Sequence, residues 1–303
     1  MPVINNFPAS VSKEPPKAPS DAVVLYSLHP FSLKTNNGLK NWNGTLYYIG
    51  IYESAASNWN TWDGTTTISA ELNNGYYTLY LRGDSNSYLT TGRSNDCVNA
   101  YWVFQGVQIT CKGNLSNLLR YTTTPTVQSY CFAYLFYNAS QVYFDIVLPT
   151  SVSRYCYLYT FAGCTGLVKA PDLPMTTLNN ACYKNMFYGC TNLTAAPSLP
   201  ATNLRQECYY SMFVDCKSLA TLPALGATTL STQCYGYMFY GCDNIRLSTT
   251  STSEYSNKYR IPTIGDGTTA SNAMVEMFTG TGGTFTGTPS INIEYYTSNI
   301  VVS

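Results

Sequence analysis

A segment of 26 residues recurs four times in the second half of this 303-residue chain, and this repetition limits the folds open to it. Cys156, Cys182, Cys208 and Cys234 each precede a tyrosine, and a second cysteine follows eight residues later. Units that repeat at such a period stack on one another, because one unit alone cannot bury its apolar face. The sequence therefore predicts an elongated stack of turns, which presents a surface rather than a deep active-site pocket.

Apolar residues recur at every fourth position within each repeat, as in Leu178, Cys182, Met186 and Cys190. Positions four apart lie on one face of an α-helix. We therefore predict a short helix in every repeat, with this row of side chains directed inward as a structural ladder. The ladder residues are Cys156, Cys164, Cys182, Cys190, Cys208, Cys216, Cys234, Cys242, Met186, Met212 and Met238.

A short proline-containing segment follows each predicted helix, at Leu167–Pro174, Leu193–Pro200 and Leu219–Gly226. Its length and its prolines are incompatible with a helix, so it is interpreted as one β-strand per turn in a parallel ladder. Which of its side chains point inward is left open. Degenerate copies at 131–139 and 273–281 are predicted to cap the stack, which occupies residues 126–289.

The rest of the chain divides into three predicted segments. Residues 22–125 contain six runs rich in Tyr, Val, Ile and Thr, separated by turn signals, and predict a small β-sandwich-like domain or open barrel. The six runs are Val23–Tyr26, Thr45–Tyr52, Thr65–Leu72, Tyr76–Leu81, Ala100–Phe104 and Val107–Cys111. Residues 290–303 alternate apolar and polar side chains and predict a closing strand. Residues 1–21 carry five prolines and predict an extended arm, either a disordered tail or a peg that becomes ordered on a partner. The arm's candidate anchor residues are Pro2, Phe7, Pro8, Pro15 and Pro16.

Composition excludes several functions and indicates where the protein is made. Charged residues form 11% of the chain and the formal net charge is zero, which argues against nucleic-acid binding. No apolar run is long enough for a transmembrane helix, and no secretory signal is predicted at the N-terminus. Eleven cysteines, mostly at equivalent repeat positions, are predicted to be reduced and buried, as in a chain that folds in a cytoplasm.

No catalytic, metal or cofactor site is predicted. His29 is the sole histidine, and no C-x-x-C pair exists, so neither a histidine-dependent nucleophile nor a zinc site has a pattern to support it. Arg82-Gly83-Asp84 matches an integrin-type tripeptide but is interpreted as a turn after a strand. Tyr137, Tyr188 and Tyr240 occupy a repeat position where other copies have Ala, Val or Thr. They are therefore candidate ligand contacts, either with sugars or with a partner surface.

The best-formed repeat, CYKNMFYGCTNLTAAPSLPATNL at Cys182–Leu204, resembles the bacterial surface leucine-rich repeats called BspA-like. Such arrays occur in gut Bacteroidales proteins and their phages, and the similarity covers residues 131–281. The resemblance implies an α+β, β-rich fold ending in a short leucine-rich-repeat solenoid, with one strand and one short helix per turn. It also implies a non-enzymatic role in adhesion or interaction.

These features together predict a non-enzymatic phage virion accessory protein, such as a head fibre. In this interpretation the arm binds a capsid or tail protein, and the repeats present a surface to a host-surface protein or glycan. The protein is then expected on the virion surface as a homo-oligomer, with no nucleic-acid partner, no membrane insertion and no cofactor. The alternative is a bacterial cell-surface adhesin of the BspA-like type.

Overall fold

A computed structural model of the chain describes residues 14–36, 44–86, 89, 101–123, 125–227, 229–261, 272–291 and 293–298. Within these residues the secondary structure is almost entirely β, in three sheets, with one four-residue helix, α1 (Ser116–Leu119). The strands are β1 (Val23–Ser27), β2 (Ser32–Thr35), β3 (Thr45–Ile49), β4 (Asn60–Trp62), β5 (Ile68–Ser69), β6 (Glu71–Asn73), β7 (Tyr76–Asp84), β8 (Trp102–Gln105), β9 (Ile109–Asn114), β10 (Val142–Val147), β11 (Arg246–Ser248), β12 (Asn257–Arg260), β13 (Gly282–Gly283) and β14 (Glu294–Thr297).

The first sheet has the strand order β10-β9-β1-β7-β3-β4, with β6 also paired to β7. Its central strand β1 is buried along its whole length and pairs antiparallel with β7 and β9. One face joins the main core, and the other packs against Ala18, Tyr52 and Trp59. A second sheet, β5-β2-β8, adds Leu33, an apolar side chain of β2, to the main core.

The stack of repeats begins at the edge of the first sheet. Strand β10 belongs to the first repeat and pairs in parallel with β9, from Val142–Ile109 to Val147–Asn114. A single cluster of buried apolar side chains therefore runs from Val23 through the repeats to Tyr295. Because the core is continuous, the stacked turns are held at one end by a sheet rather than by a flexible linker.

The helix predicted in each repeat is wrong. The described residues of segment 126–289 contain no α-helix, and each repeat instead forms successive four-residue turns. In the second full copy Met186 N–H donates to the Tyr183 carbonyl (3.2 Å) and Cys190 N–H to the Phe187 carbonyl (3.1 Å). Asn185 and Gly189 take left-handed conformations, with φ of 56° and 70°. A period of four residues rather than 3.6 produces the same inward row, and a segment of twelve residues is too short to separate the two.

Hydrogen bonds to the next repeat compensate for these left-handed residues, which cost about 1–2 kcal/mol each when they are not glycine. Tyr183 N–H donates to the Cys208 carbonyl (3.1 Å), and Phe187 N–H donates to the Met212 carbonyl (3.0 Å). Gly189 N–H does the same with the Val214 carbonyl at 2.8 Å. Backbone donors thus alternate between their own turn and the turn 25 residues ahead.

The strands predicted at Leu167–Pro174, Leu193–Pro200 and Leu219–Gly226 are also wrong. Parallel pairing between these middle repeats is limited to isolated bridges such as Lys169–Ala195, Ala195–Thr221 and Leu199–Leu225. Pro171, Pro197 and Pro223 stand at equivalent positions between these bridges, and a proline has no N–H with which to continue a ladder. The α+β fold class and the strand-plus-helix leucine-rich-repeat solenoid are therefore both incorrect for the described chain.

Buried side chains stack in columns along the repeats. The rings of Tyr157, Tyr183, Tyr209 and Tyr235 lie 5.5–5.9 Å apart with planes within 18° of parallel. A second column has ring distances of 5.5–5.8 Å and consists of Phe136, Phe161, Phe187, Phe213, Phe239 and Phe278. All eleven predicted ladder cysteines and methionines are buried beside these rings. The repeats therefore share one dry interior.

The second cysteine of each repeat also has a polar role. The Cys190 thiol donates to the Phe161 carbonyl (3.1 Å), and the Cys216 thiol donates to the Phe187 carbonyl (3.2 Å). Burial raises the pKa of these thiols far above the ordinary value. They are neutral hydrogen-bond donors rather than nucleophiles.

We expect the ten described cysteines, all buried and free, to resist a thiol reagent in the native protein. After denaturation under reducing-agent-free conditions, all eleven thiols of the chain should react. Counting modified cysteines by intact mass before and after denaturant checks both numbers. Rapid native labelling of several thiols, or a denatured count well below eleven, would contradict the buried-thiol interior.

The third sheet, β12-β14-β11-β13, covers the last turn. Residues 248–259, which lengthen the final repeat, contribute to β11 and β12. Tyr295 and Phe285 pack against Phe278, the last ring of the phenylalanine column. In the described ranges, no helix has both the length and the apolar character needed to cross a membrane.

Candidate contact surface

The outer face of the repeats carries tyrosines at regular positions. Tyr137, Tyr188 and Tyr240 lie in one row, with the small residues Ala162 and Val214 at the intervening turns. Tyr188 and Tyr240 expose 40% and 37% of their surface, whereas Tyr137 is half-buried. A tyrosine therefore recurs at every second turn along the stack, and two of the three rings are exposed.

A parallel row of tyrosines supports the first, and sequence analysis missed it. Tyr134 and Tyr159 stack at 4.9 Å, and Tyr159 lies 6.2 Å from the ring of Tyr188. Tyr237 lies 5.9 Å from the ring of Tyr240. Tyr134, Tyr159 and Tyr237 all take left-handed conformations, three residues after the first cysteine of their repeats. We call the six residues Tyr134, Tyr137, Tyr159, Tyr188, Tyr237 and Tyr240 the tyrosine surface.

Charges beside the tyrosine surface are paired. Lys184 forms an ion pair with Glu207, and its Nζ lies 4.6 Å from the centre of the Tyr210 ring. Lys217 contacts Asp215 (3.0 Å) and Asp243 (3.3 Å). Burial, with smaller contributions from neighbouring tyrosines, raises the pKa of Tyr159, so its hydroxyl stays protonated near neutral pH. The surface therefore offers uncharged rings and hydroxyls, which suit an uncharged, hydroxyl-bearing ligand.

The candidate anchor residues are only partly described. Pro2, Phe7 and Pro8 lie outside the described residues. Pro15 is exposed and Pro16 is half-buried, in a segment without strand or helix. The arm segment is attached to the first sheet at Asp21, whose carboxylate accepts a hydrogen bond from Arg82 (2.9 Å) and one from the Tyr52 hydroxyl (2.9 Å).

Arg82 forms the centre of this attachment. Its side chain is 9% exposed and lies between the rings of Trp59 and Tyr121, with its guanidinium carbon 4.1 and 4.0 Å from the ring centres. A charged group removed from water in this way is stabilised by its carboxylate and by cation–π contacts. Arg82 is therefore inaccessible, and the tripeptide Arg82-Gly83-Asp84 cannot present it to an integrin-type receptor.

His29 is exposed, and its backbone N–H donates to Ser27 Oγ at 3.1 Å. The described residues contain no group of three or more His, Cys, Asp or Glu side chains placed to hold a metal ion.

Comparison with known proteins identifies no relative of this chain. No protein-family model, no curated protein and no solved structure matches it.

Proposed function

We propose that this protein is a non-enzymatic accessory protein of a phage particle, of the head-fibre or tail-decoration kind, which contacts a host-surface protein or glycan. The proposal rests chiefly on one observation: the interior is filled by rings and neutral thiols, while the exposed rings of Tyr188 and Tyr240 lie outside, on the tyrosine surface. Exposed tyrosines have an apolar ring and a polar hydroxyl, and both properties favour binding at an interface.

The Asp21–Arg82 attachment supports an anchoring role for the arm. The buried ion pair fixes the point where the arm meets the first sheet, so a load on the arm is transmitted to the sheet and then to the repeats. The arm is proposed to bind a capsid or tail protein, and the repeats then project from the particle. The same arrangement on a bacterial envelope would correspond to the alternative, a cell-surface adhesin.

We expect deletion of residues 2–13 to abolish attachment to particles without unfolding the remainder, because Asp21 and the sheet stay intact. The measurement is co-sedimentation of the full-length and shortened chains with purified particles, with thermal melting as the folding control. Undiminished co-sedimentation of the shortened chain would refute the anchor. Recovery of the chain in envelope fractions and not in particles would favour the adhesin.

We expect the double variant Tyr188→Ala/Tyr240→Ala to bind host cells at least about tenfold more weakly, because it removes the two most exposed rings of the tyrosine surface. Tyr143→Ala is the matched control, since Tyr143 is 46% exposed but lies on β10, outside this row. Binding of labelled protein to intact cells measures the effect. An equal loss of cell binding in the double variant and the control, or no loss in the double variant, would show that the tyrosine surface does not contact the host.

A further inference from the structure

A polar pocket with a volume of about 370 Å³ lies where the first sheet meets the repeats. It opens at the carboxyl ends of the parallel strands β9 and β10, whose last residues Asn114 and Val147 are paired and both line it. The pocket shares no residue with the tyrosine surface. Its volume lies within the range of small-molecule sites.

Arg120 is the one charged residue in the described lining of this pocket. Its Nε lies 3.7 Å from Asp84 Oδ1, which is long for a hydrogen bond, and both side chains are nearly half exposed. Among the described residues, this guanidinium donates no hydrogen bond, and Asp84 is its ion-pair partner. A guanidinium with two parallel donors matches a carboxylate.

The remaining lining combines hydroxyl and amide groups with an apolar segment. Ser116 and Thr150 contribute hydroxyls, and Asn114 contributes an amide whose oxygen is occupied by Ser116. Val147, the last residue of β10 and 59% exposed, and Pro149, just after this strand, contribute apolar surface. A sugar ring has a C–H face for such apolar groups and a hydroxylated edge for such polar groups.

We propose that this junction pocket binds an acidic saccharide, with Arg120 paired to the sugar carboxylate and the ring placed against Val147 and Pro149. This site is additional to the tyrosine surface and does not depend on the proposed function. The chemistry fits either a free sugar acid or the terminal residue of a glycan. The two sites therefore differ in the ligand they require: this pocket needs a carboxylate, whereas the tyrosine surface favours neutral groups.

The experiment uses saturation-transfer NMR on the full chain with methyl glucuronide as probe. We expect saturable binding that weakens about tenfold or more for methyl glucoside, which lacks the carboxylate, and for the Arg120→Gln variant. Arg120→Lys should retain part of the affinity, because it keeps the charge and loses the paired donors. A tetrasaccharide with a terminal uronic acid tests the glycan-borne form: tighter binding than the free sugar assigns the site to glycans, and equal binding assigns it to the sugar acid alone.

Arg154→Gln is the matched control, because Arg154 is exposed and its removal changes the net charge equally. The proposal is overturned if this control weakens binding as much as Arg120→Gln does, or if methyl glucoside binds as well as the glucuronide. It is also overturned if a glutamate pentapeptide binds more tightly than the sugar acid, which would assign the pocket to acidic peptides. Thermal melts of all three variants establish that a lost signal is not lost folding.

Discussion

The protein is expected to unfold on raising the pH from 8 to about 10, because its interior is filled with neutral thiols. Burial raises the pKa of Cys182 to about 12 and of Cys234 to about 11, and that of the other described cysteines is also raised. In the unfolded chain a thiol ionises near pH 8.5. Below that pH both states hold the proton, and above it only the unfolded state releases it.

The sign follows from proton linkage. Above about pH 8.5 the unfolded state binds fewer protons than the folded state, so the free energy of unfolding falls as the pH rises. Each thiol contributes a loss of about 1.4 kcal/mol per pH unit. Over the roughly 1.5 pH units from 8.5 to 10, the ten described thiols together lose about 20 kcal/mol, more than the whole stability of most proteins.

Urea unfolding followed by far-UV circular dichroism, at pH 7, 8, 9 and 10 with a phosphine reductant present, measures this loss. Cys164→Ala is the control, since the first repeat has Ala139 at the equivalent position. The free energy of unfolding of this variant should fall less steeply with pH, by the contribution of one thiol. A free energy of unfolding at pH 10 equal to that at pH 7 would show that the thiols are not buried as a group.

Replacing Phe187 by alanine is expected to lower the free energy of unfolding by about 3–5 kcal/mol. Phe187 is fully buried in the middle of the phenylalanine column, 5.7 Å from the ring of Phe161 and 5.6 Å from that of Phe213. Removing the ring leaves a cavity. The neighbouring turns cannot move in to fill it, because the backbone N–H and carbonyl of residue 187 stay hydrogen-bonded to them.

The adjacent residue provides the control. Tyr188→Ala removes a similar ring from the same turn, but this ring is 40% exposed, so the expected loss is about 1 kcal/mol or less. Chemical denaturation of both variants at pH 7 gives the comparison. Equal losses for the two substitutions would mean that the columns do not hold the turns together.

Much of the first sheet could be predicted from local sequence. The runs predicted as strands around Val23, Thr45 and Tyr76 correspond to β1, β3 and β7, because β-branched and aromatic residues mark them. Strands β2 and β4 were not predicted. They are short and contain Ser, Lys and Asn, so their pairing with β8 and β3 depends on contacts distant in sequence.

The exposure of the outer tyrosines was predictable in part. The variable position at Tyr188 and Tyr240 indicated freedom from the core, and both side chains are exposed. The supporting row that includes Tyr159 was missed, because the helix assumption assigned it no special position. The attachment of Asp21 to Arg82 joins residues 61 apart, and no local pattern indicates such a pair.

The sequence by itself determined the 26-residue period and the inward side chains of each turn, because the order of apolar residues along a chain is a local property. Tertiary structure decided the backbone conformation of those turns. A spacing of four residues satisfies both a helix and a run of four-residue turns. The turns are selected by hydrogen bonds to the next repeat, which a helix would not form. Prolines at equivalent positions also prevent a continuous strand, because a strand there would need their missing N–H donors.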